Sequence, residues 1–220
     1  MNVYEAIAAR RTIRDFGEHP IERDVLLRIL DAGMMAPSHD HLREWHFVVV
    51  DDPKQREALV RFFLTERTRD ELEAMLDGWG MTVESQRAMY LDAVPKQGSM
   101  LLTAGALVIP CFRQPEPLLG EKTSLHELNA FASIWTVLEN VLIAAASEGI
   151  FGVTKIVSRP EERDHIRATL GIPEDYEIPC YLAIGRPSEN AVWNAQIPVD
   201  SATRLYVDRW EAMPGGERAE

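Results

Sequence analysis

The most chemically informative stretch of this sequence is a basic cluster near the amino terminus. Arg10, Arg11 and Arg14 lie close together, with one hydroxyl side chain, Thr12, among them. Guanidinium groups donate paired hydrogen bonds to anionic oxygens, so this spacing is typical of a clamp for a small phosphate group. The alternative is a solvated basic turn that balances nearby acidic residues. Taken alone, the cluster favours this second interpretation.

A second polar cluster begins where a helical pattern runs into Pro37 and Ser38 and then into His39, Asp40 and His41. Two histidines and a carboxylate are possible metal ligands. Neighbouring side chains on an extended chain point in opposite directions, however, and no third ligand has a suitable spacing. The sequence therefore predicts no metal site at this loop.

Hydrophobic spacing predicts the elements that must position these clusters. Helices are expected at about 3–9, 21–35 and 125–147, and strands at 46–52, 105–112, 150–157 and 178–187. Strands that are separated by helices indicate a layered α/β or α+β domain. We expect one domain over residues 1–213, with the charged segment 65–99 as a helical lid or excursion and 214–220 as a disordered tail.

No strand in the sequence is followed by a glycine-rich phosphate-binding motif. Neither G-x-G-x-x-G nor G-x-x-x-x-G-K-[ST] occurs in the sequence. A Rossmann dinucleotide site or a P-loop is therefore not expected, and any phosphate must be held by side chains.

Composition narrows the class of protein further. The formal net charge of −12 argues against broad nucleic-acid binding, which needs basic patches. Cys111 and Cys180 lie in apolar runs and are expected to be buried thiols. The amino terminus has no apolar signal-peptide core, and the apolar run 131–147 is interpreted as a core helix rather than a membrane span. We expect a cytoplasmic protein.

Taken together, the clusters resemble a known flavoprotein family. The segment "RRTIRDF" at 10–16, followed by "APS" at 36–38 and "W-x-FVVV" at 45–50, is similar to the ordered motifs of the nitroreductase-like proteins. The "SEG" turn at 147–149, "LAIGRPSE" at 182–189 and "PVDSATRLYVDRW" at 198–210 resemble that family's later motifs. The resemblance covers nearly the whole chain and implies an α+β fold with a mainly antiparallel sheet flanked by helices.

The resemblance implies that the basic cluster holds FMN. Arg10 and Thr12 fall where the family grips the FMN phosphate and ribityl chain, and Arg11 lies beside them. Arg14 falls where a basic residue faces the pyrimidine edge of the flavin. A positive charge there is chemically sensible, because reduced flavin develops negative charge near N1 and O2.

The resemblance also implies an intertwined homodimer with exchanged carboxy-terminal arms. Pro37 and Ser38 fall where the partner subunit lines the cofactor, and His39 and His41 belong to the same loop. The FMN site would then be built across the dimer.

The strand at 150–157 supplies the remaining predicted contacts. Its residues 152–155 fall where the family's backbone and side-chain donors approach flavin N5. Val153 lines this stretch, and either Thr154 or Lys155 is expected to hydrogen-bond N5.

Several positions depart from the family pattern. The usual Asn and Gln-Pro of the second motif are here His41, Arg43 and Glu44, and the basic pair before the arm is replaced by Asn194 and Gln196. The phosphate clamp therefore loses charge on one side, which implies weaker FMN retention. The candidates to restore that charge are Arg204, Arg186 and Arg43.

Within the family, the chain leans toward the iodotyrosine-deiodinase-like branch. "APSHDHLREWHFVVVDD" and "TAGALVIPCFRQ" resemble the corresponding runs of that branch. Members of that branch recognise their amino-acid substrate through a Glu in the lid, a Tyr four residues later and a Lys further along the chain. Segment 65–99 has no Glu-x-x-x-Tyr, and Lys96 is out of register, so deiodination is not the leading expectation.

The implied activity is that of an FMN-dependent NAD(P)H oxidoreductase. A nicotinamide donor would pass electrons through flavin N5 to a small nitroaromatic, quinone or halophenol by a ping-pong mechanism, with no catalytic side chain required. Reductive dehalogenation and flavin-consuming oxidation stay open as related chemistries. A flavin-binding storage or regulatory protein is the alternative outside the enzymes.

Overall fold

The computed structural model describes residues 1–64, 67–114, 118, 124–194, 196 and 198–210. The predicted tail 214–220, the last three residues of the expected domain, 211–213, and the first two residues of segment 65–99 lie outside these described residues. The helices are α1 (Val3–Ala9), α2 (Arg23–Met34), α3 (Pro53–Val60), α4 (Arg69–Gly78), α5 (Glu84–Ala93), α6 (Gln97–Thr103), α7 (Asn129–Ser147) and α8 (Pro160–Leu170). The strands are β1 (Trp45–Val49), β2 (Ala106–Arg113), β3 (Phe151–Ile156), β4 (Tyr176–Glu177) and β5 (Cys180–Gly185).

The strands form one antiparallel sheet in the order β1-β2-β5-β3, with the short β4 paired to β2. Strand β3 is therefore an edge strand on this path. The register places Thr154 opposite Leu182 and Lys155 opposite Tyr181. The predicted α+β class with a mainly antiparallel sheet flanked by helices is confirmed.

Alternating side chains of β5 divide the core between the two faces of the sheet. Leu182 and Ile184 join the cluster beneath α2 and α7, which includes Val137 on α7. Tyr181 and Ala183 join the second cluster, which α3, α6 and α8 cover. Helices thus shield both faces of the sheet, while the outer edge of β3 is left to the amino-terminal segment.

Helix α7 and the turn before it, Leu125–Ser147, are long and apolar enough to cross a membrane by length and composition alone. Its residues Ile134, Val137, Leu138 and Val141 are completely or almost completely buried against the sheet and α2. The structure thus bears out the interpretation of this run as a core helix.

Segment 65–99 is largely helical where the structure describes it, with α4, α5 and the start of α6 in succession. The α4 helix begins with a capping box, in which Thr68 and Glu71 satisfy each other's backbone N–H groups. Met100 and Leu101 on α6 belong to the second core cluster, and α4 packs against α5. Their role as a lid stays a prediction.

Candidate functional site

The two predicted flavin-binding stretches lie side by side. Helix α1 ends at Ala9, and the chain then runs along the outer edge of β3, where Thr12 bridges Gly152 in parallel fashion. The Ile13 N–H donates to the Gly152 carbonyl oxygen at 3.4 Å, and the Ile13 side chain is fully buried. Core burial of Ile13 thereby fixes the basic segment beside β3.

The backbone direction along β3 separates the roles of Thr154 and Lys155. Because the Gly152 carbonyl points outward to Ile13 and strand groups alternate, the Thr154 N–H also points to the outer edge, away from β5. The Lys155 side chain lies on the face of the sheet that carries the second core cluster. There its Nζ donates to the Ile156 carbonyl at 2.6 Å and lies 4.5 Å from the centre of the Phe63 ring. Thr154 is therefore the better placed of the two to meet a ligand at the edge.

Arg10 presents a donor that the described protein atoms do not satisfy. Its Nε is buried and lies 3.0 Å from Glu139 Oε1 on α7, an ion-pair distance, yet it makes no hydrogen bond of acceptable geometry among the described residues. Gln196 Nε2 donates to the Arg10 carbonyl at 3.1 Å, so the departure from the family pattern at Gln196 does lie at this cluster. An anion beside Arg10 would find an available guanidinium donor and a neighbouring amide.

The other two arginines of the cluster are turned in different directions. Arg11 folds back onto the end of α1, where its Nη1 donates to the Ala8 carbonyl and, at 2.8 Å, to the Arg10 carbonyl. These are the orphan carbonyls that a cation near a helix end stabilises. Burial lowers the pKa of Arg14, although Asp92 and Tyr90 on α5 counteract the effect. The Arg14 side chain therefore lies close enough to α5 to interact with Asp92 and Tyr90.

The Pro37–His41 loop, the second predicted cluster, packs against α7. Thr136 Oγ1 donates to the Pro37 carbonyl at 3.3 Å, and the His39 N–H donates to Ser133 Oγ at 3.0 Å. Ser38 Oγ accepts from the Arg43 N–H at 3.3 Å. That the loop completes the partner subunit's site stays a prediction.

The loop after Ser38 has an unusual backbone. His39–His41 form a 3-10 turn. The sequence had predicted an extended chain here, with neighbouring side chains pointing in opposite directions. Asp40, His41 and Arg43 all have φ near +50°, a left-handed conformation that is uncommon outside glycine. Such strain persists only where surrounding contacts impose it, and it is often found near binding sites.

A family model described as "Nitroreductase family" matches residues 7–186. The chain belongs to the nitroreductase family. The match includes the basic cluster, the Pro37–His41 loop and β3, so the predicted family is confirmed, and with it the assignment to the oxidoreductases.

Curated relatives in this family include both expected kinds of protein. The chain is 26% identical over 195 residues to an NADH dehydrogenase of Thermus thermophilus, covering 89% of this chain and 91% of the relative. It is 25% identical over 194 residues to iodotyrosine deiodinase 1 of Rattus norvegicus, covering 86% of this chain and 63% of that protein. The deiodinase likeness is thus found alongside a likeness to NADH-linked enzymes.

The fold is also that of solved nitroreductase-like enzymes. The structure of an NADPH:FMN oxidoreductase from Vibrio harveyi complexed with NAD+ matches with a TM-score of 0.68 at 19% identity, covering 96% of this chain and 79% of that one. At this identity the comparison establishes the nitroreductase fold.

One ion-pair cluster beside the basic segment was not predicted. Lys96 Nζ lies 2.8 Å from Asp15 Oδ2 and 2.6 Å from Asp92 Oδ1, and all three side chains are about three-quarters buried. Asp15 also accepts from the Val192 N–H at 3.4 Å. The cluster joins the basic segment, α5 and the chain that follows β5. The signal in the sequence that could have indicated this cluster is the i, i+4 spacing of Asp92 and Lys96.

Replacing Lys96 with methionine should lower the free energy of unfolding by about 1–2 kcal/mol, more than an exposed pair contributes, because Asp15 and Asp92 lose a partly buried partner. Burial lowers the Lys96 pKa, but the bonds to Asp15 and Asp92 outweigh this, and the net pKa lies above the ordinary 10.5. The stabilisation is therefore fully present below pH 10.5 and is lost as the pH rises through the folded-state pKa.

Urea unfolding of the wild type and the Lys96→Met variant at pH 7 and above pH 10.5 measures this effect. Lys54→Met on the exposed surface of α3 is the matched control and should change little. Equal losses in the two variants, or a difference that persists unchanged at the higher pH, would contradict the role of Lys96.

Proposed function

We propose that this chain is an FMN-dependent oxidoreductase that passes electrons from NADH or NADPH to a small aromatic or conjugated acceptor by a ping-pong mechanism. The acceptor would be of the nitroaromatic, quinone or halophenol class. The bridge between Thr12 and Gly152 carries the proposal, because it aligns the basic segment with the free edge of β3.

The residues at this edge fit FMN. Arg10 Nε is buried and lies 3.0 Å from Glu139, so the Nη groups of the same guanidinium would hold the phosphate together with Thr12. Arg14 would place positive charge at the pyrimidine edge, and the outward N–H of Thr154 would reach N5. The flavin supplies hydride and electron chemistry when it is bound, so the protein's task is to bind, orient and tune it.

The homodimer is part of the proposal. Helix α1 exposes apolar side chains, with Val3 60% and Tyr4 81% exposed, and the arm exposes Leu205 and Trp210 at 73% and 83%. Exposed apolar groups of this size are typical of a protein–protein interface. A second copy would cover them and bring its Pro37–His41 loop to the FMN, and we expect the assembly in the cytoplasm.

A titration of the purified protein with FMN tests the cofactor. We expect a visible flavin spectrum, or saturable uptake with quenching of FMN fluorescence, at one FMN per chain. No bound flavin and no uptake would refute the proposal.

The alternative of a flavin-binding storage or regulatory protein is motivated by the uncharged Asn194 and Gln196. Anaerobic mixing of the FMN-loaded protein with NADH and with NADPH separates the two. Bleaching of the flavin, followed by reoxidation with a nitroaromatic or quinone, supports the enzyme. Flavin that neither donor reduces supports the alternative.

A further inference from the structure

A large cavity lies on the face of β3 opposite Thr154. Its volume is about 850 Å3, within the range of pockets that hold small organic molecules. We call it the α4 cavity, because α4 forms one wall and its lining combines the end of α3, the α5–α6 junction and the start of α8. Its aromatic and basic lining residues include Phe62, Phe63, Trp79, Arg67, Lys155 and Arg159.

The apolar wall of the α4 cavity suits a flat ring. Phe62 and Phe63 follow α3, Leu72 and Met75 lie on α4, and Trp79 follows α4 with 57% of its surface exposed. Aromatic rings bury large areas and favour edge-to-face or offset contacts with other rings. A planar aromatic ligand therefore matches this wall.

Every charged side chain among the described residues that line the cavity is basic. Among the described lining residues the charged side chains are Arg67, Lys155 and Arg159, in a protein whose net charge is −12. A local positive lining within an acidic surface concentrates small anions at that point. The ligand is therefore expected to carry negative charge.

These basic groups retain hydrogen-bonding capacity. The Arg159 guanidinium stacks 5.0 Å from the centre of the Phe62 ring, and its Nε lies 3.9 Å from Glu161, beyond hydrogen-bond distance. Arg67 Nη1 donates to Met75 Sδ at 3.0 Å, and sulfur is a weak acceptor. A carboxylate would gain paired hydrogen bonds from either guanidinium.

Lys155 adds a partly desolvated charge. Its side chain is 14% exposed, and its Nζ lies 3.9 Å from the fully buried Glu162. Glu162 Oε1 makes no hydrogen bond within the described part of the chain. Burial lowers the pKa of Lys155, while Glu162 counteracts the effect. An anion in the cavity would reduce the cost of holding this ammonium group away from water.

We propose that the α4 cavity binds a small aromatic carboxylic acid, with its ring against Phe62, Phe63 and Trp79 and its carboxylate toward Arg159 and Arg67. The Lys155 side chain lies on one face of β3, whereas the proposed flavin contact is the Thr154 N–H at the outer edge of that strand, so the two sites are expected to be separate. The proposal rests on the cavity alone and does not depend on electron transfer.

Calorimetric titration of the full chain with 2-naphthoate and with neutral 2-naphthamide tests the proposal, without FMN and with saturating FMN. The two probes share their ring system and differ in charge. We expect naphthoate to bind about ten-fold more tightly than the amide, as one charge-assisted contact predicts. Saturating FMN should leave this preference in place.

The Arg159→Gln variant should lose most of the preference for the acid while binding the amide as before. Arg61→Gln is the matched control, because Arg61 also lies 5.0 Å from the centre of the Phe62 ring but does not line the cavity. The preference for the acid should survive in this variant.

Three outcomes would overturn the proposal: equal affinity for acid and amide, an equal loss in both arginine variants, or displacement of naphthoate by FMN or NADPH. Displacement would assign the cavity to the cofactor or the nicotinamide donor. Absence of FMN uptake would refute the proposed function without affecting this test.

Discussion

Replacing Gly152 with alanine is expected to lower the free energy of unfolding by about 1–3 kcal/mol, the usual cost of overpacking a filled site. A Cβ at this position would collide with Ile184 Cγ2 and lie 2.6 Å from the Ala183 carbonyl oxygen. A backbone carbonyl cannot move aside without shifting β5. Because the Gly152 carbonyl also holds Ile13, the shift should loosen the basic segment and weaken FMN binding.

Urea unfolding and FMN titration of the Gly152→Ala variant measure both effects. Gly78→Ala provides the control, because a Cβ at the last residue of α4 would meet no heavy atom within 4 Å. That variant should retain wild-type stability and FMN affinity. If Gly152→Ala were as stable as the wild type, the close approach of β3 to β5 would be wrong.

The Arg10→Ala variant should bind FMN about 10- to 100-fold more weakly, since a hydrogen bond to a charged group contributes about 1.5–3 kcal/mol. Arg10 Nε already lies 3.0 Å from Glu139, so the loss would report on the guanidinium Nη groups that would bind the phosphate in the proposed site. Fluorescence titration with FMN measures the loss. Riboflavin, which lacks the phosphate, should bind the variant and the wild type with equal affinity.

Arg11→Ala separates a specific phosphate contact from loss of one positive charge. Arg11 is the neighbouring residue, but its guanidinium is occupied by the Ala8 and Arg10 carbonyls at the end of α1. We expect a much smaller effect on FMN affinity. A similar loss in both variants would show that net charge, rather than the placement of Arg10, governs binding.

The family, the fold class and the two clusters of polar residues could all be inferred from the sequence alone. These features are local or periodic: basic side chains around Thr12, a loop from Pro37 to His41, and apolar runs with strand or helix spacing. Such patterns are visible in the sequence, because each helix or strand must present an apolar face to the core. Even the bounds of α1 agree with the prediction of 3–9.

Which site each of these residues contacts depends on the tertiary structure and could not be inferred from the sequence. Lys155 and Thr154 are adjacent in sequence, yet strand alternation and the pairing with β5 send one to the α4 cavity and leave the other's N–H at the free edge. Lys96 was an unexplained lysine until folding brought it to Asp15, 81 residues away. These assignments depend on contacts between distant segments, whose distances no local spacing encodes.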